Sequence, residues 1–159
     1  MASRMSDDLS NRIAQFLDLF HVMSLATCGP QGPHAANLFF IRDGLALVWV
    51  SEMTSRHCED IEADGRAAAT VAPDYADFSI IRGVQISGFA RRIVDAGERA
   101  RLLHLLQSRY RFLMHPDAAP VGLRAAYERV QVYRLDPARI VLIDNTKGFG
   151  HKETLDLHR

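Results

Sequence analysis

Near the start of the chain, apolar residues recur with a helical period. Leu9, Ile13, Phe16, Leu17 and Phe20 fall at i, i+4, i+7, i+8 and i+11, one stripe of an amphipathic helix over residues 7–20. Asp7 and Asp8 stand at its beginning, where the helix dipole favours acids. The pattern then changes to strands at 21–27, 34–42 and 45–51, divided by Gly29-Pro30-Gln31-Gly32 and by Asp43-Gly44. Asp-Gly is a preferred type I′ hairpin dipeptide. Connections this short make the three strands antiparallel, because parallel neighbours need a crossover of about a dozen residues.

Residues 54–64 read as a short helix. Thr54 or Ser55 suits its N-cap, and Gly65 suits the left-handed position past its end. Small residues at 67–72 form a fourth strand, and 79–95 a long one. Gly83 and Gly88 inside it mark a bulge, a bend or the close approach of a ligand. A third helix is expected over 98–112, with Leu102, Leu105, Leu106 and Tyr110 on one face, then a loop containing Pro116 and Pro120. Strands at 130–135 and 140–143 are split by Asp136-Pro137, and a polar, glycine-rich tail follows from 144 to 152. Strands outnumber helices and do not alternate with them. This predicts a mainly β fold: an antiparallel Greek-key split barrel of about six strands with two to three flanking helices, not a doubly wound sheet. It would be a single domain over 1–159, with flexible ends at 1–6 and 153–159.

Composition narrows the partners. A chain of 159 residues, 48% hydrophobic and 24% charged, is long enough for one ordinary core. With 19 basic and 19 acidic side chains the net charge is zero, which argues against DNA, RNA or an anionic membrane as partner. The zero hides an asymmetry: residues 1–78 carry 5 basic and 11 acidic groups, and residues 79–159 carry 14 and 8. All the basic residues except Lys147 and Lys152 are Arg, the side chain suited to bidentate pairing with phosphate or carboxylate. The asymmetry fits charge pairing within or between subunits, or an Arg site for a small anion. Cys28 and Cys58 make neither a CxxC motif nor a disulfide framework. The N-terminus lacks the apolar core of a signal peptide, and the longest apolar run, 45–50, is far short of a membrane span. A cytoplasmic protein is expected.

There is no phosphate loop, dinucleotide fingerprint, nucleophile elbow or HExxH motif. The seven His residues lack zinc-site spacing, so no metal is expected. The best local anion site is Thr54-Ser55-Arg56-His57, where hydroxyls, backbone amides and a permanent charge meet at a helix N-terminus. A plain capping box with Glu59 is the competing reading. Gln85 lies mid-strand and faces away from Val84 and Ile86. Its amide offers a donor and an acceptor to a polar ring edge, or simply faces solvent. Asn37 sits beside Ala35 and Ala36, with Phe39 and Phe40 following. Of these aromatics, and of Trp49, a core role is expected. Asn145, Thr146, Lys147, His151 and Lys152 in the tail suit a phosphate or a carboxylate, or simply an exposed turn. His21, His34 and Arg82 are the substrate-side candidates.

The ordered series Leu-Ala-Thr, Pro-His-Ala-Ala-Asn-Leu-Phe-Phe, Thr-Ser-Arg-His and Ile-Arg-Gly-Val-Gln-Ile-Ser-Gly, spread over residues 10–152, resembles the pyridoxamine 5′-phosphate oxidase-like, FMN-binding split-barrel superfamily. Ile81-Arg-Gly-Val-Gln85 with the 144–150 segment resembles a small bacterial subfamily of it. The resemblance implies a homodimer with FMN at the subunit interface. It implies that Thr54, Ser55, Arg56 and His57, with Ser51 nearby, grip the phosphate. Asn37, Leu38 and Phe39 would offer backbone groups to the ring system, Gln85 would reach its polar edge, and Asn145 and Lys152 would close the site from the other subunit. Two features depart from the family's oxidases: His57 stands where Lys is common, and the only Trp is Trp49, where the oxidases have a Trp in a longer C-terminal segment. His57 would add full charge only below about pH 6.5, so FMN affinity is expected to rise as pH falls from about 8 to 6. The implied activity is a flavin-dependent oxidoreductase acting on a small molecule. A flavin carrier or redox sensor, or a haem or deazaflavin binder on the same fold, remains the alternative.

Overall fold

The computed structural model describes residues 2–111 and 129–157. Within them the order is α1 (Ala2–Asp18), β1 (Val22–Gly29), β2 (Gly32–Phe39), β3 (Ile41–Asp43), β4 (Ala46–Glu52), α2 (Arg56–Ala63), β5 (Arg66–Val71), β6 (Arg82–Arg92), α3 (Ala96–Arg109), β7 (Val130–Asp144) and β8 (Lys152–Asp156), with 3-10 turns at Phe78–Ile80 and Asn145–Lys147. The expected loop with Pro116 and Pro120 lies outside the described residues.

All strand pairs are antiparallel, in the order β2-β1-β5-β6-β7-β4-β3, with β8 against β7. β2 and β3 are one run of chain bent at Phe40. The first part pairs with β1 and the second with β4, so both ends of the sheet path belong to the same segment and the sheet curls into a split barrel. The three helices flank it.

Inside, Met23, Leu25, Trp49, Ile86, Tyr133 and Ile140 interdigitate and α1 closes the core with Leu9, Ile13, Phe16 and Leu17. Each such apolar side chain contributes about 1.5–3 kcal/mol on burial. α3 packs Leu102, Leu106 and Tyr110 over Ile41, Val48 and Val132. β4 is therefore covered on both faces, by the barrel interior and by α3. That is why its sequence is an apolar run and not an alternation.

Several boundaries differ from expectation for identifiable reasons. α1 starts at Ala2, not at 7. The β3–β4 turn is Gly44-Leu45, and only Gly44 has positive φ, +63°, the type II′ pattern in place of I′. Gly65 does not cap α2 in the left-handed region. It packs against β6, where an added Cβ would lie 2.9 Å from the Ala90 carbonyl oxygen. The two strands expected around Asp136-Pro137 are the single strand β7. β6 shifts register between Ser87 and Gly88, opposite Pro137, and this bulge absorbs the missing proline N–H. The shift brings the backbones so close that a Cβ on Gly88 would lie 2.1 Å from the Asp136 carbonyl oxygen. Residues 152–156, expected to run from the tail into a flexible end, form β8.

Candidate functional site

Two regions hold the residues singled out by sequence. The first is the N-terminal turn of α2. Ser55 occupies the N-cap position in extended geometry, yet its side chain makes no cap bond. Its Oγ donates instead to the Glu52 carbonyl at 2.7 Å, and its carbonyl accepts from Cys58 and Glu59 N–H at 2.9 and 3.1 Å. The capping box that competed with an anion site does not form, and Thr54 is exposed. The Arg56 and His57 amides, first in the helix, have no intrahelical acceptor and no side-chain cap, which leaves the helix end suited to an anion.

Arg56 Nη2 donates to the carbonyls of Gln31, Gly32 and Pro33 at 3.1, 3.2 and 3.4 Å. Its Nε is buried without a partner, a cost that a bound oxyanion would remove. His57 and Ser51 turn inward. His57 is buried, with Nε2 2.8 Å from Ser51 Oγ and 3.2 Å from Ser55 Oγ. Its ring lies parallel to that of His34 with centroids 6.3 Å apart. Burial first, and His34 second, push its pKa below 6.5, and Asp60 opposes them. The cationic phosphate ligand expected at position 57 is therefore disfavoured where it sits, and Ser51 is its internal partner.

Sequence reasoning missed what pins α2 to the barrel. Asp60 is 4% exposed and accepts from Thr27 Oγ1 at 2.8 Å. Gly29 is needed beside it: a Cβ there would lie 1.9 Å from Asp60 Oδ1. An Asp at the fifth position of a helix otherwise reads as a solvated surface residue, so only the glycine hinted at a close approach.

The second region is the outer face of the sheet. Asn37, Ser24, Thr70, Gln85, Val141 and Thr154 are successive cross-strand partners. The neighbouring row runs Ala35, Ala26, Ala68, Ser87, Arg139 and Asp156. Gln85 is exposed between buried Val84 and Ile86, as expected. It lines a shallow depression of about 300 Å³ with Thr70, Ser87, Arg139 and Val141. Asn37 is exposed and its Oδ1 accepts from Ser24 at 2.7 Å. Three strand spacings separate Asn37 from Gln85, roughly 14 Å, so the two share a face without meeting.

Phe40 N–H donates to the His21 carbonyl. Antiparallel alternation then turns the backbone groups of Leu38 toward β1 and those of Asn37 and Phe39 away from it. The Leu38 side chain packs on the core. Phe39 is 54% exposed, its ring 5.4 Å from that of Tyr110, and Phe40 and Trp49 are core residues.

Asn145 is occupied structurally. Its Nδ2 donates to the Phe78 carbonyl at 2.7 Å, its Oδ1 accepts from Gly150 N–H at 3.1 Å, and its backbone N–H donates to the Ile81 carbonyl at 2.9 Å. It joins two loops and does not point at a ligand. Lys147 and His151 approach Glu153, which also takes both Arg12 Nη atoms. These partners, Arg12 foremost, hold the Glu153 carboxyl well below the usual range. Lys152 is exposed at the start of β8, opposite Ile143. Of the substrate-side candidates, His21 packs on Tyr110, Arg82 pairs with Asp144 at 3.6 Å, and His34 lies beside His57. Among the described residues no group of three or more His, Cys, Asp or Glu could hold a metal ion, and no helix is long and apolar enough to cross a membrane.

A curled antiparallel sheet flanked by three helices defines the split-barrel oxidase-like class. The pyridoxamine 5′-phosphate oxidase family model matches residues 9–145, and the chain belongs to this family. A UPF0306 protein of Serratia proteamaculans is 30% identical over 143 residues, which are 89% of this chain and 90% of that one. Among solved structures, conserved hypothetical protein Rv2991 of Mycobacterium tuberculosis matches with a TM-score of 0.69 at 20% identity, over 94% of this chain and 91% of that one. HutZ of Vibrio cholerae, a haem storage protein, matches with a TM-score of 0.66 at 14% identity, over 92% of both chains. These two likenesses show a common fold.

Proposed function

We propose that this chain binds FMN as a homodimer and acts as a flavin-dependent oxidoreductase on a small molecule. The observation that carries the reading is Arg56. It stands at an uncapped helix N-terminus with a buried, unpartnered Nε, the donor set that a phosphate monoester satisfies.

The residues fit the group. Arg56, the free amides of the first turn of α2 and the Thr54 hydroxyl would hold the phosphate, the Ser55 hydroxyl being already given to Glu52. Pro33, whose carbonyl Arg56 touches, lies about 13 Å along β2 from Asn37, so the ring system would lie on the outer face. The backbone groups of Asn37 and Phe39 and the amide of Gln85 would meet its polar atoms. FMN supplies the redox chemistry when bound, and the chain supplies orientation and exclusion of water. The outer face is rich in Ala, Ser and Thr, with Phe39 and Phe89 half exposed. A second copy would cover it, and Lys152 at its margin would then reach the partner's site.

The visible spectrum of the purified protein, with and without added FMN, tests this. Flavin bands and saturable fluorescence quenching support it. A colourless protein that stays colourless overturns it. Reduction by NADH or NADPH without oxygen, then exposure to air, separates an enzyme from a flavin carrier. A haem binder on the same fold is the second reading, favoured by the likeness to HutZ. A Soret band would establish it, with an axial His to be sought.

A further inference from the structure

The Ser51–His57–Ser55 contacts fix a tautomer. Ser55 Oγ lies 2.7 Å from the Glu52 carbonyl, which only accepts, so the single Ser55 hydroxyl proton is spent there. Toward His57 Nε2, at 3.2 Å, Ser55 therefore only accepts, and Nε2 carries the proton. That N–H is shared with Ser51 Oγ at 2.8 Å. One imidazole N–H thus ties β4, through Ser51, to the residue that opens α2, through Ser55. The titratable groups facing the ring are His34 from β2 and Asp60 from its own helix, and β4 contributes the neutral Ser51. The neighbouring Cys58 is fully buried, with its thiol among the hydroxyls of Ser55, Tyr133 and Ser51.

We propose that His57 is a neutral positioning residue: its Nε2–H, given to Ser51 and Ser55, holds the first turn of α2 against β4 and sets Arg56 and the first-turn amides for the phosphate. The role rests on the FMN reading for its ligand, and its anchor geometry does not. His57 acts through its neighbours and contributes no charge to the anion. The pH dependence implied by a cationic His57 thereby changes sign. Protonation would put a charge inside a buried pocket, so acid loosens the turn and does not tighten the ligand.

Four variants and one spectrum test this. In the wild-type protein, the ring nitrogen chemical shifts of His57 should show the Nε2–H tautomer, with half-protonation below pH 6.5. An Nδ1–H tautomer, or half-protonation at or above pH 6.5, overturns the proposal without reference to flavin. His57→Gln places an amide N–H where Nε2–H was. It should keep FMN affinity within about threefold and keep slow amide exchange at Ser55 and Cys58, whose N–H groups are bonded to the Glu52 and Ser55 carbonyls. His57→Leu should weaken FMN by about tenfold or more and speed that exchange. His57→Lys should also weaken FMN, because an ammonium is costly to bury. Tighter FMN binding by His57→Lys, or equal loss in His57→Gln and His57→Leu, overturns the proposal in favour of a direct cationic contact. Ser51→Ala should resemble His57→Leu at reduced size, and unchanged exchange in both counts against the anchor. If the wild-type protein binds no FMN, the flavin reading fails while the tautomer and exchange results still decide the anchor.

Discussion

The nest under α2 and the outer face of the sheet are built on opposite plans. In the nest, Thr27, Ser51, His57 and Asp60 are all buried, and each of these side chains has a hydrogen-bond partner among the others. On the face, Asn37, Thr70 and Gln85 are exposed and the residues between them are small. A buried polar group without its partner costs about 1–3 kcal/mol, whereas an exposed one is served by water. If the proposed ligand binds there, the nest would couple stability to its binding, and the face would leave stability nearly independent of it. The charge asymmetry along the sequence divides in the same way. Arg42, Arg101, Arg134 and Arg139 are engaged by Asp18, Asp43, Asp136 and Asp156, and Arg56 is the cation aimed at the proposed anion site.

Substitutions can break this contrast, and the largest effect belongs to the backbone beneath the face. Gly88→Ala would drive a Cβ into a main-chain carbonyl and should cost about 3 kcal/mol, the upper part of the overpacking range, in urea unfolding. Next is Arg56→Ala. It should weaken FMN by about 1.5–3 kcal/mol in a fluorescence titration, the loss expected for a hydrogen bond to a charged group. An unchanged Kd would remove Arg56 from the phosphate site. Thr27→Val leaves Asp60 without its buried donor and should cost about 1–2 kcal/mol of stability, with a smaller loss of FMN affinity as α2 loosens.

pH separates the nest from the ion pairs elsewhere. The folded-state pKa of His57 lies below its ordinary 6.5, so the unfolded chain binds more protons in the window just under that value. His57 therefore stabilises the fold above about pH 6.5, and this contribution drains away as pH falls. Urea midpoints between about pH 7 and 5.5 should decline in the wild-type protein and flatten in His57→Gln. Glu153 and Asp43 are held below their ordinary values by Arg partners. Their contribution is present above about pH 4 and is lost only in stronger acid. The smallest effect is expected on the face. Gln85→Ala should change stability by less than about 0.5 kcal/mol while weakening FMN by about 0.5–1.5 kcal/mol. A large loss of stability there would undo the contrast.

Much of the barrel was legible. The stripe on α1, the meander of β1 to β4, the face assignment of Gln85 and the bulge at Gly88 follow from period, turn length and the absence of a side chain. The site was less so. Thr54-Ser55-Arg56-His57 marks a helix start correctly, but four adjacent residues on a helix turn point in four directions. The sequence does not say that Arg56 reaches back to the 31–33 turn while His57 folds inward to Ser51. Asp60 looks solvated by its type and is buried by its partner, Thr27, 33 residues earlier.

Local rules act between residues a few positions apart, and from them the sequence by itself determined the elements, the antiparallel meander, a barrel in place of a doubly wound sheet, and the kind of side chain available for an anion. Tertiary structure alone decided which side chains stay in water. It made one strand of the segments around Pro137, turned the tail into β8, tied Asn145 into a loop junction and withdrew His57 from solvent. Each of these depends on a partner far away in the chain, and the energy that decides it, desolvation set against hydrogen bonding, exists only once that partner is in place.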